Sequence, residues 1–255
     1  MPFANDIYYH AFAGSAEGQR PPLVMLHGAA GSHLSWPPEV RRLPGYRTYA
    51  LDLPGHGKSG GRGMQSIAAF AEAVAAWLPA VGLHRAVFIG HSMGSAIAAT
   101  LALDYSEHVL ALALIGSGPR LAVNPALLDH ASSPTTYQNA IDTVVEWSFG
   151  SGAPALLPQL VSKRMAETRS SVLYSDFLAC SAYDESARID GIGCPTLVMC
   201  GVEDRMTPLR HSQYLANHIP GAQLKVIDSA GHMAQLEQPR AVAGALSEFL
   251  MDIPY

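Results

Sequence analysis

The sequence predicts an α/β fold: a mostly parallel central sheet of about eight strands with helices on both faces, interrupted by one helical insertion. From residue 23 onward, short β-branched or apolar runs alternate with longer stretches of helical period, the order that lays helices across parallel strands. The alternation lapses once, between Pro119 and about Arg188. The scale fits as well, because 255 residues, 49% hydrophobic and 15% charged, suffice for one large core.

In chain order, residues 7–13 are expected to pair antiparallel at one edge. Strands follow at residues 23–26, 46–53, 85–89, 109–115, 195–200 and 223–227. Between them, residues 66–81, 95–105, 209–218 and 240–251 carry apolar side chains at helical period, long enough for the right-handed crossovers that parallel neighbours require. The insertion holds candidate helices at 135–149, 155–168 and 171–183, punctuated by Pro134, Gly150, Gly152, Pro154 and Pro158. This divides the chain into a core, residues 1–118 and 189–255, and an insertion, residues 119–188. Leaving the C-terminal end of a strand, where ligands bind in such sheets, the insertion is expected to cover that crevice as a lid.

Composition excludes several classes. A net charge of −5 without any run of Lys or Arg lacks the electrostatic footprint of a nucleic-acid or anionic-membrane binder. The opening MPFANDIYYHAF has no secretory pattern and no segment is apolar enough to span a bilayer, so a cytoplasmic protein without membrane insertion is expected. Cys180, Cys194 and Cys200 have neither metal-ligand nor C-x-x-C spacing, and no H-E-x-x-H pair occurs among the histidines, so neither a metal nor any other cofactor is expected.

Chemistry is suggested by Gly90-His91-Ser92-Met93-Gly94. The G-x-S-x-G form alone is weak, but here a predicted strand leads in and a small-residue helix leads out. Such an elbow holds its serine in a strained conformation, with the glycines removing Cβ atoms that would collide across the turn. The hydroxyl then stands at the positive end of the following helix. A serine hydroxyl needs a base, and the base needs a group that fixes its tautomer. Downstream, one predicted strand runs into Glu203-Asp204 and the next into Gly231-His232, giving the order nucleophile, acid, histidine. Asp204 is preferred to Glu203, lying one residue farther from the strand; Asp52 and Asp228 fit the order poorly. For the oxyanion, the backbone N–H of Met93 is one expected donor. A second is expected from the loop after residues 23–26, at Ala29, with Ala30 as the alternative. His27 suits a loop-bracing role better than that of base.

These residues resemble those of the α/β-hydrolase superfamily, over about residues 23–250 apart from the insertion. Four motifs carry the likeness: HGAAGS at 27–32, DLPGHGKS at 52–59, GHSMGS at 90–95 and GHMAQLEQP at 231–239. The resemblance implies the small, lid-bearing branch, which holds carboxylesterases, monoacylglycerol-type lipases, enol-lactonases, cofactor-free haloperoxidases and hydrolases of carbon–carbon bonds. Members with Asp at the elbow, the haloalkane dehalogenases and epoxide hydrolases, are disfavoured by Ser92. Leu34, Trp36, Trp147, Phe149, Met206 and Met233 are the candidate substrate-binding residues, and only Lys58 and Arg205 are cations adjoining a motif. A small-molecule ester with an apolar part suits that lining. The alternatives are a carbon–carbon hydrolase or enol-lactonase with the same three residues, or a ligand receptor that does not turn over.

Overall fold

The computed structural model describes residues 2–13 and 20–255. In chain order the elements are β1 (Phe3–Ala4), β2 (Ile7–Phe12), β3 (Leu23–Leu26), α1 (Pro38–Arg41), β4 (Thr48–Leu51), α2 (Ile67–Ala80), β5 (Ala86–His91), α3 (Met93–Asp104) and β6 (Val109–Ile115). Four helices follow, α4 (Pro125–Ala131), α5 (Tyr137–Ser148), α6 (Leu156–Ala166) and α7 (Ser170–Ala182). The chain then runs through β7 (Thr196–Gly201), α8 (Leu209–His218), β8 (Gln223–Ile227), α9 (Ala234–Glu237) and α10 (Pro239–Leu250). The eight strands make one sheet in the order β1-β2-β4-β3-β5-β6-β7-β8. Among the described strands, the β1/β2 and β2/β4 pairs are antiparallel and the rest parallel.

Alternation along each strand sends side chains to opposite faces. Leu23, Met25, Val87, Ile89, Ala111 and Ala113 pack with Val40 of α1 and Val242 and Leu246 of α10. Val24, Leu26, Phe88, Leu112 and Leu114 pack with α2, α3 and Leu215 of α8. Because both faces are covered, the central strands are apolar throughout, as parallel sheets require.

Three elements differ from the sequence expectation. Residues 46–53 shorten to β4: the Asp52 N–H still donates to the Tyr8 carbonyl of β2 at 2.9 Å, while its side chain closes the following turn by accepting the N–H groups of His33 at 2.6 Å and Lys58 at 2.9 Å. Gly57 closes this turn at φ +50°, and a Cβ there would lie 2.3 Å from Asp52 Oδ2. Strand β1 forms the true edge, joined to β2 through Asn5 and Asp6, both at positive φ, the backbone that a tight hairpin needs. Helix α4 was also unexpected. Its start was written in Asn124-Pro125: the Asn side chain accepts the Ala126 N–H at 2.9 Å, and Pro occupies the first turn.

The helices α4 to α7 fall within residues 119–188, and the ends of that segment leave the core side by side. Arg120 and Asp184 form an antiparallel bridge, and the Glu185 N–H donates to the Pro119 carbonyl at 2.8 Å. Leu127, Ile141, Val144, Val161, Met165 and Phe177 bury one another within this segment. No described helix is long and apolar enough to cross a membrane.

Candidate active site

Strand β5 ends directly at Ser92, whose backbone sits at φ 53°, ψ −118° before α3 begins. A non-glycine residue there stores on the order of 1–3 kcal/mol of strain, so its surroundings must over-determine it. They do: the Ser92 N–H donates to the Ile115 carbonyl at 2.9 Å. The Ser95 hydroxyl donates to Gly90 O at 2.8 Å and accepts the Ile115 N–H at 3.0 Å. Gly94 is dictated by proximity, since a Cβ there would fall 2.0 Å from the Leu26 carbonyl oxygen, and one at Gly90 would fall 2.3 Å from that of Gly94.

The other two residues meet beside β7 and β8. His232 Nδ1 lies 2.9 Å from Asp204 Oδ2. A carboxylate can only accept, so Nδ1 carries the proton and the Nε2 lone pair is free. Asp204 is itself fixed by the N–H groups of Met206 and Thr207 at 2.9 and 2.8 Å and by the Thr207 hydroxyl at 2.8 Å. Burial pushes its pKa up, but His232 and the Thr207 donors outweigh burial and hold it below the usual carboxylate value. Glu203 turns away to accept the Ser151 N–H at 2.8 Å, Asp52 is engaged in its turn, and Asp228 is exposed. Ser92 and His232 line the same cavity. Among the described residues neither Ser92 Oγ nor His232 Nε2 has a hydrogen-bond partner, a looseness usual before substrate arrives.

The loop after β3 folds against the serine: a Cβ at Gly28 would lie 3.1 Å from Ser92 Cβ. The Gly31 N–H donates to Gly28 O at 3.0 Å, making a turn with Ala29 and Ala30 at its centre and Ala30 at φ +50°. The N–H groups of Ala29 and Met93 have no partner among the described residues. The Ala30 N–H donates to Asp176 Oδ2 at 2.9 Å, which removes Ala30 as an alternative oxyanion donor. His27 braces this loop, with Nδ1 donating to Gly28 O at 2.8 Å and Nε2 accepting the Leu53 N–H at 3.0 Å.

The rings of His27 and His91 are fully buried, and burial, reinforced by the neighbouring rings of His56 and His232 respectively, holds both pKa values at about 3. The unfolded chain, whose histidines titrate near 6.5, therefore binds more protons below that pH. Stability is lost as pH falls from about 6.5 toward 3, by roughly 2 kcal/mol per ring at pH 5. His56 does not offset this. Burial lowers its pKa but Asp176 raises it further, so that it ends above the ordinary value, and its contribution is complete below 6.5 and lost as pH rises through the folded value. Melting curves from pH 6.5 to 5, where the His56 contribution is already complete, should show a falling midpoint; a constant midpoint counts against neutral buried rings.

A cavity of about 660 Å³ lies over Ser92 and His232 and under α4 to α7. Of the candidate substrate-binding residues, Leu34, Trp147, Met206 and Met233 line it. Trp36 and Phe149 do not. Trp36 is fully buried beneath the sheet with Leu23, Met25 and Val40, because the turn at residues 33–35 rotates it away from Leu34. Phe149 caps α5 and packs inside the insertion's own cluster. Missed instead were Val123, Leu127, Val144, Val161, Met165 and Phe177. Val144, Val161, Met165 and Phe177 lie in stretches of visible helical period that do not state which face turns inward, whereas Val123 and Leu127 lie just before and within α4, outside the expected helices. Among the described residues that line the cavity, Arg120, Arg164 and Arg210 join Lys58 and Arg205, against a single carboxylate, Glu167. The three cysteines are free. Burial raises the Cys180 thiol and, with Asp204, carries that of Cys200 to about 12. Among the described residues no cluster of His, Cys, Asp or Glu is arranged to hold a metal ion.

A family model described as alpha/beta hydrolase fold matches residues 21–239. Protein ABHD8 of Bos taurus is 30% identical over 241 residues, which cover 90% of this chain and 56% of that protein. The chain thus spans about half the length of that relative. The 2-hydroxy-6-oxo-6-phenylhexa-2,4-dienoate hydrolase of Burkholderia cepacia is 29% identical, over 91% of this chain and 88% of that one. An esterase from Exiguobacterium antarcticum superposes with a TM-score of 0.87 over 96% of both chains at 22% identity, a likeness of fold.

Proposed function

This chain belongs to the α/β-hydrolase family, and from that premise we propose that it hydrolyses carboxylic esters through an acyl-enzyme on Ser92. The observation that carries the proposal is the His232 Nδ1 to Asp204 Oδ2 contact of 2.9 Å, which leaves Nε2 basic on the wall that Ser92 shares. In this reading Ser92 Oγ attacks the ester carbonyl as His232 Nε2 takes its proton. The N–H groups of Ala29 and Met93 hold the oxyanion, and His232 protonates the leaving alcohol. Water, activated by the same imidazole, then releases the acid. No cofactor enters. The helices α4 to α7 act as the lid, and their apolar inner face receives the hydrocarbon part of a small substrate.

A second reading, a carbon–carbon hydrolase or enol-lactonase using the same three residues, is favoured by one observation: five cations face one carboxylate around the cavity, a setting that suits an anionic substrate. A single panel separates the two. Purified protein is offered p-nitrophenyl esters of two to twelve acyl carbons, a vinylogous diketone acid and an enol-lactone, before and after one equivalent of a fluorophosphonate. Ester turnover that the fluorophosphonate abolishes is expected. Inertness to every ester, with turnover of the diketone or lactone, transfers the proposal to the second reading; a chain that neither turns over nor takes the label, yet binds a small hydrophobic ligand tightly, is a receptor.

A further inference from the structure

Asp176, on α7, has no part in the chemistry above, yet it is an unusually costly residue. Its side chain and that of His56 are fully buried. Asp176 Oδ2 lies 2.8 Å from His56 Nε2 and also accepts the Ala30 N–H at 2.9 Å, while Oδ1 is buried without a partner among the described residues. His56 Nδ1 lies 3.1 Å from the Pro54 carbonyl oxygen. Both ring nitrogens thus face acceptors, which fits a doubly protonated ring beside a carboxylate. A buried ion pair is a poor stabiliser compared with apolar packing, and an orphaned carboxylate oxygen makes it poorer.

What the pair does is join three segments: the loop after β4 through His56, the loop after β3 through Ala30, and the helical insertion through Asp176. Thr168, just past α6, adds a hydroxyl that donates to the Ala30 carbonyl at 3.3 Å. The insertion therefore grips Ala30 by both its N–H and its C=O. Ala30 is at φ +50°, a conformation costing a residue with a Cβ roughly 1–2 kcal/mol and kept only where neighbours impose it. The N–H that Asp176 holds belongs to the Ala29–Ala30 peptide. The Ala29 N–H lies in the preceding peptide, one φ/ψ pair away, inside the turn that the Gly31 N–H to Gly28 O bond closes, so fixing the Ala29–Ala30 peptide narrows the directions open to it.

We propose that Asp176, backed by His56, is a positioning residue: it holds the Gly28–Gly31 turn in the form that aims the Ala29 N–H at the oxyanion. The insertion then completes the acyl-transfer site as well as covering it. This rests on the ester-hydrolase reading above and extends it to a residue of the lid.

The test uses the full chain with Asp176→Asn, which keeps one acceptor but removes the charge, and His56→Gln, which keeps an N–H donor but not the cation. Each is measured for kcat and KM on a short p-nitrophenyl ester. Two inhibitors follow: an uncleaved carboxamide analogue, which resembles the ground state, and a trifluoromethyl ketone, whose serine adduct carries the oxyanion. Loss of a whole oxyanion donor costs about 10²–10³ in kcat, so a misaimed one should cost about 10- to 100-fold in Asp176→Asn and less in His56→Gln. KM and carboxamide affinity should stay within about threefold, while trifluoromethyl ketone affinity falls by the factor lost in kcat/KM. Equal weakening of both inhibitors, or an unchanged kcat in folded variants, overturns the positioning role. Should Asp176→Asn not fold, the same split in His56→Gln decides. Normal wild-type turnover with undisturbed variants sinks this role alone, whereas a wild-type protein inert to all esters sinks the ester-hydrolase proposal and this role with it.

Discussion

Replacing Ser92 with alanine is expected to lower kcat on a short p-nitrophenyl ester by about 10⁵- to 10⁶-fold, the scale on which other serine hydrolases lose their nucleophile. The fold should survive, because alanine retains the Cβ that the elbow already tolerates at φ 53°. The Ser92 N–H that bonds Ile115 O is unaffected. The free N–H groups of Ala29 and Met93 also remain, leaving a residual electrostatic catalysis over water of about 10³- to 10⁴-fold. The measurement is steady-state turnover beside a melting curve. Turnover within tenfold of wild type in a protein that melts normally would remove Ser92 from the mechanism.

Asp204→Asn is expected to cost about 10⁴ in kcat, the scale for a triad carboxylate turned to an amide. An Asn side chain can turn its NH₂ toward His232 Nδ1. The imidazole then moves its proton to Nε2, the nitrogen that must be free to accept from Ser92. The N–H groups of Met206 and Thr207 keep an oxygen acceptor in place, so the loop should hold its shape and the loss should appear in kcat more than in KM. Glu203→Gln is the control. It alters an acceptor of the Ser151 N–H and should stay within about threefold. A larger loss from Glu203→Gln than from Asp204→Asn would reverse the assignment of the acid. Because the pKa of Asp204 is held below the ordinary carboxylate value, its charge contributes stability that is present above the unfolded pKa. That part is lost only as pH falls through the lower folded value, and the Asn variant should lack it.

Much of this site was legible along the chain because its parts are local. A glycine on each side of a serine between a strand and a helix specifies an elbow whatever surrounds it, and the glycines at positions 90 and 94 are set by backbone clashes a few residues away in sequence or across one strand. Asp204 could be chosen over Glu203 by counting from a strand end. Asn124-Pro125 was equally local and could have revealed α4. The lining of the cavity was not local. Leu34 and Trp36 are two residues apart, yet one reaches the cavity and the other lies beneath the sheet, and no periodicity in a three-residue turn states which.

Hydrophobic period and turn chemistry within short windows sufficed for the parallel α/β scaffold, for placing Ser92, Asp204 and His232 just beyond strand ends, and for the run of helices between β6 and β7. Docking of distant segments fixed which faces of α4 to α7 line the cavity, how five scattered cations come to surround it, and that Asp176 reaches across 146 residues to hold Ala30. The physical reason is that a helix's pattern says it has a buried side, but only the docking of one segment on another fixes what that side touches. A buried charge has no local signature until its partner arrives.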